Sequence, residues 1–184
     1  MMKKNHENAV SPVVGVMLML VVTIIIAAVV SAFAGGSVSG VKKVPQATIT
    51  GKFSISDGLQ IIHSGGDGLT TTETVFIIRD GSMFGPNLEQ KTAQVVNKSL
   101  MANGKGEFLN TGDGSTNVTA FMSGDTLFIT GANATCSLLQ PVVNASGKTS
   151  YCISNTDNIG KTFSLEVSDT RGNLISKSDV TISP

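Results

Sequence analysis

The sequence is poor in the side chains on which most enzymes and nucleic-acid-binding proteins depend. Charged residues make up only 14% of the 184 positions, and the formal net charge is zero. A neutral chain lacks the positive surface that binds phosphate backbones, so no nucleic-acid partner is expected. Aromatic residues make up 5%, with no tryptophan and one tyrosine, which leaves few rings for stacking on bases or sugars.

Histidine and cysteine are equally scarce, with two of each. His6 stands near the N-terminus, so His63 is the only histidine in the body of the chain. A zinc site of histidine and cysteine needs more ligands than this, and a serine hydrolase would have one candidate base. The composition therefore predicts a structural or interaction protein, with no catalytic residues, no metal and no cofactor.

The sequence does contain one long apolar run near its start. No charged residue stands between Glu7 and Lys42, and the densest part, residues 13–34, covers 22 positions. A helix of that length spans roughly 33 Å, close to the hydrocarbon thickness of a bilayer. Because the run is apolar all round, every face of such a helix must meet lipid or another apolar helix.

Three interpretations of this run are open. A cleaved secretory signal peptide would use Lys3 and Lys4 as its positive start and residues 32–34 (Ala-Phe-Ala) as its cleavage site, although the apolar core is about twice the usual length. A permanent membrane anchor fits the length, with the two lysines keeping the N-terminus in the cytoplasm. In a filament subunit, a short leader is removed, and the retained helix moves from the membrane to pack against copies of itself.

Small residues recur along the run at a spacing of four, which lets neighbouring helices approach closely. The two rows consist of Ala27, Ser31 and Gly35, and of Ala28, Ala32 and Gly36. Gly15 is a further expected packing position. Ser11 and Pro12 predict the helix start, because serine is a good N-cap and proline suits the first turn.

Residues 9–34, AVSPVVGVMLMLVVTIIIAAVVSAFA, resemble the N-terminus of archaeal type IV pilins. A second stretch, IIHSGGDGL at residues 61–69, is similar to a His-x-Gly-Gly-Asp turn in the extracellular part of such proteins. The resemblance implies that a prepilin peptidase removes the leader from a membrane-inserted precursor. It also implies that an assembly ATPase and a membrane platform protein move the subunit into a homopolymeric pilus on the cell surface.

The resemblance places the cut beside Ala9. Cleavage between Ala9 and Val10 is expected, and the bond between Asn8 and Ala9 is the alternative. Bacterial relatives carry a glutamate at the fifth mature position, where this chain has Val14, or Val13 for the earlier cut. The ion pair that this glutamate would supply is absent, so packing alone is expected to set the register of the helices.

Beyond the helix the pattern changes to short alternating strands with frequent Gly, Asp and Asn turns. This pattern predicts an antiparallel, immunoglobulin-like β-sandwich without helices, so the fold class is α+β. A turn at residues 171–173 is expected to join the last two strands. The predicted segments are a leader at 1–9, a helix at 10–36, a Gly/Ser-rich hinge at 37–46 and an extracellular β-sandwich domain at 47–184.

The alternation also predicts which residues form the core, and it leaves the sheet edges to be covered by neighbouring subunits or glycans. The expected core residues are Ile49, Phe53, Ile55, Ile61, Val75, Ile77, Phe121, Leu127, Ile129, Phe163, Leu165 and Val167.

Three further features belong to the expected extracellular part. Cys136 and Cys152 enclose 15 residues and are expected to form a disulfide worth about 3 kcal/mol in the chain-entropy model. His63 and Asp67 are expected to hydrogen-bond across a Gly-Gly turn. Four Asn-x-Ser/Thr sequences are candidate N-glycosylation sites, at Asn97, Asn117, Asn133 and Asn144.

Together these features predict a pilin that polymerises through its helix into a cell-surface filament with a role in adhesion. The alternative is a membrane-anchored or secreted binding module, such as a minor pilin that acts as an adhesin.

Overall fold

The computed structural model describes residues 12–36, 43–88, 91–111 and 113–184. The chain divides into two compact units between Lys43 and Val44. The expected leader, its cleavage bond beside Ala9, the Ser11 cap and the hinge as far as residue 42 lie outside the described residues.

The N-terminal unit contains one long helix, α1, which runs from Pro12 to Gly36. Its sequence contains no acidic residue in the first turn and no basic residue in the last turn. Many of its side chains are β-branched, which lowers helix propensity in water. The helix is the required form in lipid, because it satisfies every backbone hydrogen bond within the segment.

The second unit is built mainly from short strands. The strands are β1 (Ala47–Ser54), β2 (Gly58–Gly66), β3 (Leu69–Thr70), β4 (Thr74–Asp80), β5 (Gln94–Val95), β6 (Ala102–Asn103), β7 (Ala120–Phe121), β8 (Thr126–Thr130), β9 (Thr162–Asp169) and β10 (Leu174–Ser183). Two short α-helices, α2 (Cys136–Leu139) and α3 (Pro141–Ala145), lie between β8 and β9. A long helix followed by a largely β domain confirms the predicted α+β class.

Eight of these strands form one mixed sheet in the order β5-β4-β9-β10-β1-β2-β8-β6, and β3 pairs with β7 separately. The sheet has two antiparallel halves, which are joined where β1 runs parallel to β10 at Phe53–Ile182 and Ser54–Ser183. The immunoglobulin-like sandwich predicted from the sequence has two separate sheets. Here the pairing of β10 with β1 makes the sheet continuous, and alternation within single strands carries no information about this pairing.

The two halves share one hydrophobic core. Phe53 in one half and Phe163 in the other meet edge to face with ring centroids 5.7 Å apart. Most of the expected core residues are buried, but Ile55, Val75 and Ile77 are only partly buried.

On β4 the buried face is the opposite of the predicted one. Phe76 and Ile78 are buried, and they share that face with the polar residues Thr74 and Asp80. Residues 75–78 are apolar on both faces, so the alternation there does not distinguish the inner face from the outer one.

The predicted hairpin between the last two strands is confirmed. β9 and β10 are antiparallel, and the carboxylate of Asp169 accepts hydrogen bonds from the backbone N–H groups of Arg171 and Asn173. Further hydrogen bonds from the side chains of Asn173 and Arg171 help to hold the pKa of Asp169 below its usual range.

The sheet edges are closed by very short strands rather than left open. β5 and β6 stand at the two ends of the strand order and have two residues each. Short edge strands expose few unpaired backbone groups, which limits edge-to-edge association.

The predicted disulfide is confirmed between Cys136 and Cys152, whose Cα atoms lie 5.5 Å apart. The segment that it encloses contains α2 and α3, although no helix was expected in this part of the chain. Helices of four and five residues are too short to leave a periodic pattern in the sequence.

The disulfide-bounded segment is attached to the sheet by buried polar groups. Gln140 donates a hydrogen bond through Nε2 to Oδ1 of Asp80, at 3.0 Å, and accepts one through Oε1 from the N–H of Ile153, at 2.7 Å. Asp80 and Gln140 are both fully buried. Oδ2 of Asp80 has no hydrogen-bond partner in the described part of the chain. Burial raises the pKa of Asp80 to about 6, and the bond from Gln140 and the charge of Lys161 oppose the rise.

We expect Asp80 to make the protein more stable in mild acid. Between pH about 4 and 6 the folded chain holds this proton and the unfolded chain does not. The free energy of unfolding therefore falls by up to about 3 kcal/mol as the pH rises through this range, and it levels off above it. Urea unfolding of the full chain in detergent, followed from pH 4 to 8, measures the effect.

Asp80→Asn should remove this fall, because an amide does not titrate. The exposed Asp57 provides the control, and Asp57→Asn should leave the pH profile as in the wild type. Identical profiles for the wild type and Asp80→Asn would contradict the assignment.

Candidate functional site

Helix α1 exposes apolar side chains on every side. All residues from Pro12 to Ala34 are exposed, and even the least exposed large apolar side chain in this stretch, Val22, has 42% of its surface free. A helix that packs one face against a protein core shows a buried stripe. The described residues of α1 show no such stripe, so all sides of the helix need an apolar covering.

The threonine side chain on α1 is satisfied within the helix. The hydroxyl of Thr23, the one threonine of the helix, donates to the carbonyl oxygen of Leu20 at 2.9 Å. The hydroxyl therefore places no unpaired donor in an apolar environment. The stretch from Pro12 to Ala34 has 23 residues, so it is roughly 35 Å long and can cross a bilayer.

The predicted packing positions all fall on α1. Ala27 and Ser31 lie one above the other because residues four apart share a helix face, and Ala28 and Ala32 form the neighbouring row. Gly15 adjoins open space, since a Cβ built there meets no atom within 4 Å. The rows continue to Gly35 and Gly36 at the end of the helix.

Residues 8–49 match the family model described as archaeal type IV pilin, N-terminal. In this N-terminal segment, the chain is similar to the archaeal type IV pilins. The match covers α1 and the first residues of β1, and a comparison with curated proteins gave no match. The pilin family is one of structural subunits, and together with α1 it supports a membrane-inserted precursor and a surface filament.

The remaining candidate residues of the chain lie apart from α1 in the sequence. Asn97, Asn117 and Asn144 are exposed, whereas Asn133 is half-buried. Oδ1 of Asn97 accepts hydrogen bonds from the N–H and the hydroxyl of Ser99, the third residue of its sequon. Glycosylation at these positions stays a prediction.

His63 does not form a catalytic site with Asp67. Its Nε2 contacts the backbone carbonyl oxygen of Asp67 at 3.0 Å, so the expected hydrogen bond exists but involves the main chain. Within the described ranges, no group of three or more His, Cys, Asp and Glu side chains is arranged to hold a metal ion.

Sequence reasoning missed a groove on the β domain. The groove has a volume of about 480 Å³ and lies beside β8, and its lining includes Asn103, Lys105, Val118, Asp125 and Phe128. These residues come from three separate stretches of the chain, so no local pattern could have identified them together.

We expect the mature protein to begin at Val10. The family match begins at Asn8, and removal of residues 1–9 would leave Ser11 and Pro12 at the start of the retained helix. Intact-mass measurement of the protein from cell envelopes checks this. A mature chain that starts near Gly35 would instead identify a secreted protein, and one that starts at Met1 or Met2 a plain anchor.

Proposed function

We propose that this protein is a pilin, the repeating structural subunit of an archaeal surface filament, and that α1 is its polymerisation element. The observation that carries the proposal is the exposed apolar surface of α1 on all sides. Lipid covers this surface in the precursor, and helices of neighbouring subunits cover it in the filament. The β domain then forms the outer surface, where a role in adhesion would reside.

The energetics favour exchange of one apolar covering for another. Apolar area that is removed from water contributes about 25 cal/mol per Å² in either environment. Movement from lipid to the filament core therefore costs little, provided that the helices pack closely. Close packing depends on the small residues, because lipid tails and leucine side chains are equally apolar and give no preference by themselves.

The family resemblance supplies the proposed partners. A prepilin peptidase would cut beside Ala9, and an assembly ATPase with a membrane platform protein would extract the subunit. Lys3 and Lys4 precede the apolar run and favour a cytoplasmic N-terminus in the precursor.

We expect Ala28→Leu to block filament formation while the β domain still folds. The substitution keeps the helix apolar, so membrane insertion continues. It places a bulky side chain in a row of small residues, and the resulting overpacking costs about 1–3 kcal/mol at each helix–helix contact. Because the contact repeats in every subunit, we expect at least a tenfold loss of filaments, roughly the effect of 1.4 kcal/mol per contact. Electron microscopy of sheared filaments measures the loss.

Val30→Leu is the matched control, since it also places a leucine at an exposed position of α1 but on the side of the helix opposite both rows. Normal filaments are expected from this variant. Equal filament yields from Ala28→Leu and the wild type would refute the assigned role of the row.

The groove beside β8 favours a second candidate function, that of a minor subunit that binds a ligand as an adhesin. Its volume lies within the range of small-ligand sites, and its lining combines the charged side chains of Lys105 and Asp125 with the Phe128 ring. Immunogold labelling of the β domain on sheared filaments separates the two functions. Labelling along the whole shaft is expected for the repeating subunit, and labelling confined to the tips would indicate the minor one.

We also propose that the exposed sequons carry glycans. Asn97 lies two residues beyond the edge strand β5, so a glycan there would mask the edge that the short strand leaves. Asn117 and Asn144 are equally open to modification because both are exposed.

A further inference from the structure

The His-x-Gly-Gly-Asp sequence at the end of β2 has no part in the assembly helix, yet its residues make a dense set of contacts. The sequence comprises residues 63–67. It lies at the open end of the β1–β2 hairpin, beside Gln46, the last residue before β1. Residues 63–67 together with Gln46 are called the joint below.

Asp67 holds Gln46 with two hydrogen bonds. The N–H of Asp67 donates to the carbonyl oxygen of Gln46 at 2.8 Å. In the other direction, the N–H of Gln46 donates to Oδ2 of Asp67 at 3.0 Å. The last register pair of the two strands is Ala47–Gly66, so these bonds extend the hairpin by one residue. The extension reaches into the Gly/Ser-rich hinge at 37–46, which is called the linker below.

Gly66 allows the two chains to come this close. Its φ is +100°, in the region that favours glycine, and a Cβ built on it would lie 2.3 Å from the carbonyl oxygen of Gln46 and 2.8 Å from the Cα of Ala47. Any side chain at this position would push Gln46 away from the hairpin.

His63 connects the joint to the core. It is fully buried, and its ring meets Phe121 edge to face with centroids 5.1 Å apart. Nδ1 is buried and has no partner among the described residues, so the proton belongs on Nε2, which donates to the carbonyl oxygen of Asp67. The backbone of His63 also bonds to Gly124 and Asp125 in the turn before β8.

We propose that the joint is a mechanical latch, in which Asp67 locks Gln46 so that a pull arriving through the linker does not peel β1 from β2. This proposal rests on the proposed filament role, because a filament places the linker under tension. Force applied at the open end of a hairpin separates its pairs one at a time, starting with the outermost. The bonds of Asp67 to Gln46 lie outside the first pair, so they must break before β1 can begin to open.

Separation of β1 from β2 would disrupt the β domain because of where β1 lies. β1 lies in the interior of the sheet, between β2 and β10, and it supplies Ile49 and Phe53 to the core. If β1 were peeled away, the two halves of the sheet would lose the connection between them, and the core that they share would open.

Hydrogen exchange on the full chain in detergent micelles tests the latch directly. In Asp67→Ala, the amides of Gln46 and of the first residues of β1 should exchange roughly fivefold faster, the effect of losing about one net hydrogen bond. Amides near Phe53, at the closed end of the hairpin, should keep their wild-type rates. Asp67→Asn retains a side-chain oxygen acceptor, so it should restore protection at Gln46.

Asp57→Ala is the matched control. Asp57 lies in the turn at the closed end of the same hairpin and is exposed, so its replacement should leave Gln46 protected. The amides of β9 report on global unfolding. If Asp67→Ala unfolds the domain, hydrogen exchange is measured in Asp67→Glu instead, because this variant keeps the charge but moves the carboxylate away from the Gln46 N–H. Wild-type exchange at Gln46 in a folded Asp67→Ala or Asp67→Glu variant would overturn the proposal.

Filaments provide the second measurement. Wild-type and Asp67→Ala filaments are sheared in the presence of a protease, and cleavage within residues 44–54 is measured. Faster cleavage of the variant under shear, with equal cleavage at rest, is the expected result, and equal cleavage under shear would count against the latch. If the wild-type chain forms no filament, the proposed function fails, while the exchange measurement in micelles still reports on the joint.

Discussion

The uncovered apolar surface of α1 is the constraint on which the rest of the chain depends. A helix exposed on all sides from Pro12 to Ala34 has no stable state in water, so at every stage its surroundings must be lipid or similar helices. The absence of charge from this stretch permits both surroundings. The scarcity of specific polar contacts on α1 means that shape, through the rows of small residues, must provide whatever selectivity the helix has.

The β domain has a hydrophobic core of its own, to which both halves of the sheet contribute. The buried hydrogen bond of Gln140 with Asp80 attaches the segment between β8 and β9 to the sheet, and the disulfide between Cys136 and Cys152 closes a loop within that segment. In the proposed filament, a domain with its own core would keep its structure while α1 moves from lipid to the helices of neighbouring subunits.

The sequence predicts the helix, the α+β class, the disulfide and the last hairpin, because each depends on composition or on neighbours along the chain. The inner face of β4 was predicted wrongly, since Phe76 and Ile78 alternate with Val75 and Ile77 and both sets are apolar. The parallel pairing of β1 with β10 and the bond between Gln46 and Asp67 could not be predicted. Both bring together residues that are distant in the chain, and no periodic pattern encodes such contacts.

The pairing of β1 with β10 also determines when the domain can close. β10 holds the last residues of the sheet, and it lies between β9 and β1. The two halves therefore remain unconnected within the sheet until β10 has been synthesised and has paired with β1. Contacts between distant parts of a chain form slowly, so closure of the sheet is expected to be a late step in the folding of the domain. The strand that is made after all the others is thus the one that joins them.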